Sequence, residues 1–171
     1  IEPNAMNLST VSKGDYPKSR IVLLKKFNLK GFTFFTNYNS SKGKSISNNN
    51  NVCLNFYWPS LEKQIIIKGK ANRISDKESE NYFNSRPYGS QIGAIASNQS
   101  EVIDSREFLE RKFKELNNYH TKIKPKRPRN WGGYLVKPNL FEFWQGRKNR
   151  LHDRLEFIFD GSVWNSNRLS P

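Results

Sequence analysis

Short runs dense in branched and aromatic residues recur along this chain, and they constrain its fold more than any other feature. Arg20–Leu24 (RIVLL), Gly31–Thr36 (GFTFFT), Val52–Tyr57 (VCLNFY) and Gln64–Ala71 (QIIIKGKA) open the series. Gly133–Lys137, Leu140–Trp144, Arg154–Phe159 and Ser162–Asn165 close it. Polar, glycine or proline breaks separate them at hairpin-like spacing, which reads as strands. Strands that do not alternate regularly with helices predict antiparallel pairing rather than a doubly wound parallel sheet.

Helices occupy the remaining stretches. Ser41–Asn48 predicts a short one, and the four asparagines from Asn48 to Asn51 form a connecting turn. Ser75-Asp76-Lys77-Glu78 has the form of a capping box, with Tyr82 and Phe83 following at helical spacing before Arg86-Pro87 ends the run. Between Asp104 and Asn118 the apolar residues Phe108, Leu109, Phe113 and Leu116 recur every three or four positions. Lys122–Arg129 (KIKPKRPR) is a basic, proline-broken loop. The fold class expected is mostly β (α+β), an antiparallel barrel with helices packed outside, in one domain spanning residues 1–171.

Composition narrows the setting. Lysine and arginine number 29 against 15 acidic residues, a formal charge of +14. That excess favours anionic partners without choosing among nucleic acid, anionic membrane and phosphorylated small molecules. The single cysteine, Cys53, excludes an internal disulfide and a multi-cysteine metal site, and its apolar neighbours predict a core thiol in a reducing, cytoplasmic setting. No apolar run approaches the roughly 18 residues of a membrane span. A soluble protein is expected, with no membrane partner.

Nucleophile elbow, Walker loop, dinucleotide fingerprint and metal-spaced His/Cys clusters are all absent, so any redox chemistry needs a borrowed cofactor and no metal site is expected. Arg, Lys, Gln and Ser residues do gather at strand ends and helix starts. Densest is Trp144-Gln145-Gly146 followed by Arg150-Leu151-His152-Asp153-Arg154, where Trp144, Arg150, His152 and Arg154 fall within eleven residues. Such a group suits a planar anionic ligand.

EFWQG with RLHDR, together with RIVLLK, SRP with SQIGA, NQS, WGG and the closing RLSP, resembles the pyridoxamine 5'-phosphate oxidase family, and the motifs occur in that family's order from Arg20 to Pro171. The resemblance implies a homodimer of FMN-binding split barrels, with the flavin in a cleft at the subunit interface. It implies oxidation of pyridoxine 5'-phosphate or pyridoxamine 5'-phosphate to pyridoxal 5'-phosphate, with O2 as acceptor and H2O2 as product. It implies an N-terminal extension that closes over the substrate; the sequence begins at Ile1, so that extension is expected to be missing from it.

Residue by residue, the resemblance assigns the FMN site to Arg20, Ile21, Val22, Leu23, Leu24 and Lys25, to Phe35 and Thr36, and to Ser41 and Lys42. Gln64, Gln99, Ser100, Trp144 and Arg154 complete it. Substrate binding falls to Lys25, Tyr82, Arg86, Ser90, Arg150 and His152, and Arg150 and His152 are the catalytic candidates. Tyr82 and Arg86, four residues apart, are expected on one helix face. Ser41 is a departure, since the family commonly carries arginine there; Lys44 or the Ser41 hydroxyl stands in its place, and the sequence leaves open which. Two other readings compete: a split-barrel FMN protein with another substrate, such as a flavin reductase, and a basic barrel binding RNA or single-stranded DNA. Tyr82, Arg86, Arg150 and His152 argue against the first, and the ordered motifs against any nucleic-acid partner.

Overall fold

The computed structural model describes residues 2–12, 14 and 16–171. Among them nine strands form one sheet: β1 (Ala5–Thr10), β2 (Lys18–Leu23), β3 (Lys26–Asn28), β4 (Gly31–Asn37), β5 (Asn51–Trp58), β6 (Lys63–Arg73), β7 (Trp131–Gln145), β8 (Asp153–Phe159) and β9 (Trp164–Arg168). Four helices accompany them: α1 (Ser41–Asn48), α2 (Asp76–Ser85), α3 (Tyr88–Ala96) and α4 (Arg106–His120). The strand order is β2-β1-β5-β6-β7-β4-β3, with β8 on β7 and β9 on β8. Every pairing with a described register is antiparallel. The chain divides into two compact units, Ile1–Phe34 with Ser45–Asn72 and Leu135–Pro171, and Phe35–Lys44 with Arg73–Tyr134.

In the first unit, alternation along the strands builds the core, because successive side chains of a strand point to opposite faces. Met6, Leu8 and Thr10 of β1 are buried, as are Val52, Leu54 and Phe56 of β5. Each large apolar side chain buried this way contributes about 1.5–3 kcal/mol. Cys53 lies on the other face of β5 and is half-buried rather than a core thiol, opposite Lys68 in the ladder. Burial pushes the Cys53 thiol up, opposed by the Lys68 charge. β1 had no counterpart among the predicted strands.

The two strands expected at Gly133–Lys137 and Leu140–Trp144 are one strand, β7, that runs through Pro138. A Cβ on Gly69 would strike the Lys137 carbonyl and the Pro138 Cα, so the missing side chain of Gly69 makes room for this backbone. The last strand lies at Trp164–Arg168 rather than Ser162–Asn165. Residues before it form a turn instead, in which Asp160 accepts from the Ser162 and Val163 N–H groups at 2.9 and 3.0 Å.

In the second unit, the predicted capping box is present. Ser75 Oγ accepts from the Glu78 N–H (3.2 Å), and the Glu78 carboxylate accepts in return from the Ser75 N–H (3.4 Å). Ser105 caps α4 in the same way, accepting from the Phe108 N–H at 3.2 Å. α4 nevertheless buries no residue fully, and Phe108 and Phe113 remain exposed. α3, YGSQIGAIA, had not been expected; Pro87 precedes it, and Ile92 and Ala96 are buried from it.

Candidate functional site

Three groups of predicted site residues occur within the second unit, and each has a local cause. α1 starts behind Ser40, whose Oγ accepts from the Gly43 N–H at 3.3 Å and donates to the Asn37 carbonyl at 2.7 Å. Gly43 has no alternative, since a Cβ there would collide with the Tyr38 carbonyl. This fixes Lys42, only 7% exposed, with its Nζ 3.1 Å from Gln99 Oε1 and 3.4 Å from Ser40 Oγ. Thr36 Oγ1 donates to the same Gln99 oxygen at 3.0 Å. Gln99, far from Thr36 and Lys42 in sequence, therefore joins them in one polar cluster. Ser100 follows with φ of 75°, and Ser41 sits half-buried beside Lys42.

The second group is an aromatic stack. The Phe35 ring lies 3.8 Å from the Tyr82 ring and 5.6 Å from the Trp131 ring, both stacked. Arg86 lies just past α2, as its C-cap, with ψ of 151°, so the expected shared helix face is replaced by an extended residue. Its guanidinium nevertheless returns to the stack, 4.7 Å over the Trp131 ring. Arg86 Nη1 is buried and has no hydrogen-bond partner. Burial lowers the affinity of Arg86 for its proton, with Tyr82 opposing; burial likewise raises the Tyr82 phenol, with Arg86 opposing.

Ser90, exposed in the first turn of α3, is the third contribution.

The first unit carries the other candidates. Arg20 Nη1 donates to the Leu8 carbonyl (3.1 Å) and Thr10 Oγ1 (2.7 Å), neutral acceptors that hold the guanidinium without cancelling its charge. Burial lowers its proton affinity. Ile21, Val22 and Leu23 continue along β2, with Ile21 exposed; Leu24 and Lys25 lie just beyond it, where the Lys25 N–H donates to the Thr33 carbonyl at 2.9 Å. Gln64 is half-buried at the start of β6, opposite Tyr57.

Trp144 and Arg154 face each other across β7 and β8. Arg154 Nε bonds Glu142 Oε1 and its Nη1 bonds the Ser170 carbonyl, both at 2.8 Å. Glu142, by that hydrogen bond, strengthens its hold on the proton. His152 tilts against Trp144 at 4.7 Å between centroids. The Arg147 N–H donates to His152 Nδ1 at 3.1 Å. A backbone N–H can only donate, so the neutral ring carries its proton on Nε2. Between them, Asn149 and Arg150 have φ of 58° and 61°. Two consecutive non-glycine residues in the left-handed region are strained, and such strain marks functional turns. Sequence reasoning missed Trp131 and Ser40 as site residues; Trp131 opens the WGG motif, and Ser40 directly precedes the candidate Ser41.

An antiparallel sheet with flanking helices and cation-rich strand ends defines the split-barrel class, and solved structures agree. PhzG from Burkholderia lata, solved with tetrahydrophenazine-1-carboxylic acid, superposes with a TM-score of 0.95 at 29% identity, over 100% of this chain and 84% of that one. A pyridoxamine 5'-phosphate oxidase-related, FMN binding protein from Nostoc punctiforme superposes at 0.77 and 16% identity, over 100% and 89%. The split barrel with flanking helices expected from sequence is thus the fold found.

The particular family follows from sequence comparison. The family model for pyridoxamine 5'-phosphate oxidase matches residues 1–120, and that for the pyridoxine 5'-phosphate oxidase C-terminal dimerisation region matches residues 131–171. Pyridoxine/pyridoxamine 5'-phosphate oxidases of Flavobacterium psychrophilum and Flavobacterium johnsoniae are 53% and 56% identical over 99% of this chain and 80% and 79% of theirs. The chain belongs to the pyridoxamine 5'-phosphate oxidase family.

Proposed function

We propose that this chain is a single-domain, cytoplasmic, homodimeric FMN-dependent oxidase that converts pyridoxamine 5'-phosphate or pyridoxine 5'-phosphate to pyridoxal 5'-phosphate in vitamin B6 metabolism and salvage. One observation carries the reading at the site: Arg86 keeps a buried Nη1 without a hydrogen-bond partner, beside the Tyr82 phenol. A buried donor left unmade costs about 1–3 kcal/mol, which a ligand oxygen would offset. A substrate phosphate supplies such an oxygen, and Lys25 and Ser90 complete its shell.

The residues present fit FMN. Arg20, held among the described residues by neutral oxygens, and Lys42 at the start of α1 are suited to its phosphate. Ile21 to Lys25, Phe35, Thr36, Ser41, Gln64, Gln99, Ser100, Trp144 and Arg154 are assigned to the rest of the cofactor, some from each subunit of the dimer. The dimerisation-region match supports the two-chain site. FMN, when bound, supplies the acceptor for the hydride leaving C4' and for its onward passage to O2. The alcohol substrate balances as pyridoxine 5'-phosphate plus O2 giving pyridoxal 5'-phosphate plus H2O2; the amine also takes up water and releases ammonia. This chain's residues bind and align: Arg86, Tyr82, Ser90 and Lys25 hold the phosphate, Arg150 lies over the pyridine ring, and His152 offers its Nε2–H as a donor.

An absorbance spectrum of FMN-loaded protein mixed anaerobically with pyridoxine 5'-phosphate tests the proposal. Bleaching of the flavin band is expected. Bound flavin that stays oxidised would move the substrate elsewhere, as in a reductase, and absence of flavin binding would end the reading.

A further inference from the structure

We infer that Trp131 is a positioning residue for the substrate phosphate, acting through Arg86; the inference rests on the phosphate site proposed above. The other arginines with described ion pairs are held by carboxylates: Arg106 by Glu110, Arg127 by Asp76 and Glu80, Arg147 and Arg168 by Asp153, and Arg154 by Glu142. Arg86 has no carboxylate among the described residues. Its neighbour is the flat face of Trp131, 4.7 Å from the guanidinium carbon.

The difference matters because a guanidinium has two kinds of surface. Its edge carries five N–H donors, and its faces carry none. A carboxylate would occupy the edge and compete directly with a phosphate. An aromatic face attracts the cation through the ring quadrupole and leaves the edge donors unspent. Arg86 is in that state, since its buried Nη1 has no partner.

Trp131 is itself immobilised. It is 6% exposed, stacked on Phe35 at 5.6 Å, parallel to Tyr82 within 3°, and met edge-on by Phe83 at 5.4 Å. Trp131 therefore backs Arg86 directly, whereas Tyr82, 6.3 Å from the Trp131 ring, stacks more closely on Phe35 at 3.8 Å. Phe35 holds the Trp131 ring by stacking and Phe83 by its edge contact.

A double-mutant cycle on the FMN-loaded full chain tests this, with Trp131→Leu, Arg86→Leu and the double variant. The readouts are KM for pyridoxine 5'-phosphate, kcat, and the dissociation constant for pyridoxal 5'-phosphate by equilibrium dialysis. Trp131→Leu is expected to raise KM and that dissociation constant roughly three- to thirtyfold, with kcat and flavin content little changed. In the Arg86→Leu background it should add nothing. An equal shift with and without Arg86 would show a merely structural role and overturn the inference while leaving the phosphate site standing. No shift at all in the presence of Arg86 overturns it too. If Arg86→Leu itself leaves both constants unchanged, the phosphate site falls and the inference with it. Should Trp131→Leu not fold, Trp131→Phe retains a smaller ring, and its smaller shift must likewise vanish without Arg86.

Discussion

Replacing Arg127 with methionine isolates what a nearly buried arginine contributes when its acidic partners are exposed. The Arg127 side chain is 8% exposed, whereas Asp76 and Glu80 are 92% and 45% exposed. Its Nη1 also donates to the Trp131 carbonyl at 2.6 Å. Exposed ion pairs contribute about 0–1 kcal/mol each. Stranding the Trp131 carbonyl costs about 1–3 kcal/mol, while methionine retains much of the packing of the stem. The expected loss is therefore about 1–5 kcal/mol, or a fall in Tm of about 2–20 °C for a chain of this length. Thermal denaturation of wild type, Arg127→Met and Asp76→Asn, in low salt and in 0.5 M NaCl, measures it. The Arg127→Met deficit should survive added salt, because screening acts on the exposed pairs and not on the bond to the carbonyl. Asp76→Asn should lose less than about 1 kcal/mol. An Asp76→Asn loss equal to that of Arg127→Met, or a deficit abolished by salt, would refute the ranking of carbonyl above carboxylates.

Lys42→Met removes a charged donor from the proposed FMN site and should weaken FMN binding about 10- to 150-fold in a flavin-fluorescence titration; an unchanged constant removes Lys42 from that site. Ser41→Arg places a charged donor beside Lys42 and should tighten FMN about tenfold in the same assay, and no gain would mean that Ser41 or Lys44 already fills the role. Asp160 is held far below the ordinary carboxylate range by the Val163 and Ser162 N–H groups and by Asn165. Its contribution is thus present above the unfolded value of about 4 and is lost as pH falls through the folded one. Asp160→Ala should lower Tm at neutral pH, and the gap to wild type should narrow in acid; a gap independent of pH would refute the assignment. Cys53, its thiol pushed up by burial, should be alkylated by iodoacetamide at a rate that keeps rising with pH beyond the plateau of a free thiol, and an ordinary plateau would contradict the burial.

The sheet was legible wherever burial left a strong pattern. β4, β5, β6 and β8 fall close to their predicted runs because their apolar residues are large and dense. β1, AMNLST, alternates just as regularly, but only Met6 and Leu8 are large, so short-range pattern alone gives it no weight. Proline predicted a break in β7; the room that admits Pro138 comes from Gly69, on another strand and distant in sequence. The site divides in the same way. Motifs supplied Tyr82 and Arg86, yet the absence of a carboxylate at Arg86 and the ring beneath it exist only after folding, since Trp131 lies 45 positions further along the chain (131 minus 86).

The capping box of α2 has an effect well beyond the first turn. Each residue of a helix rotates its side chain by about 100°, so the point where Ser75 starts the helix decides which way Tyr82 points seven positions later. Substitutions among the exposed residues in between leave that phase alone, whereas inserting or deleting a single residue there would swing the phenol off the Phe35 ring. Natural variation in this segment should accordingly run through residue identity and not through length: relatives that change most of the letters between Ser75 and Arg86 should still count the same number of them.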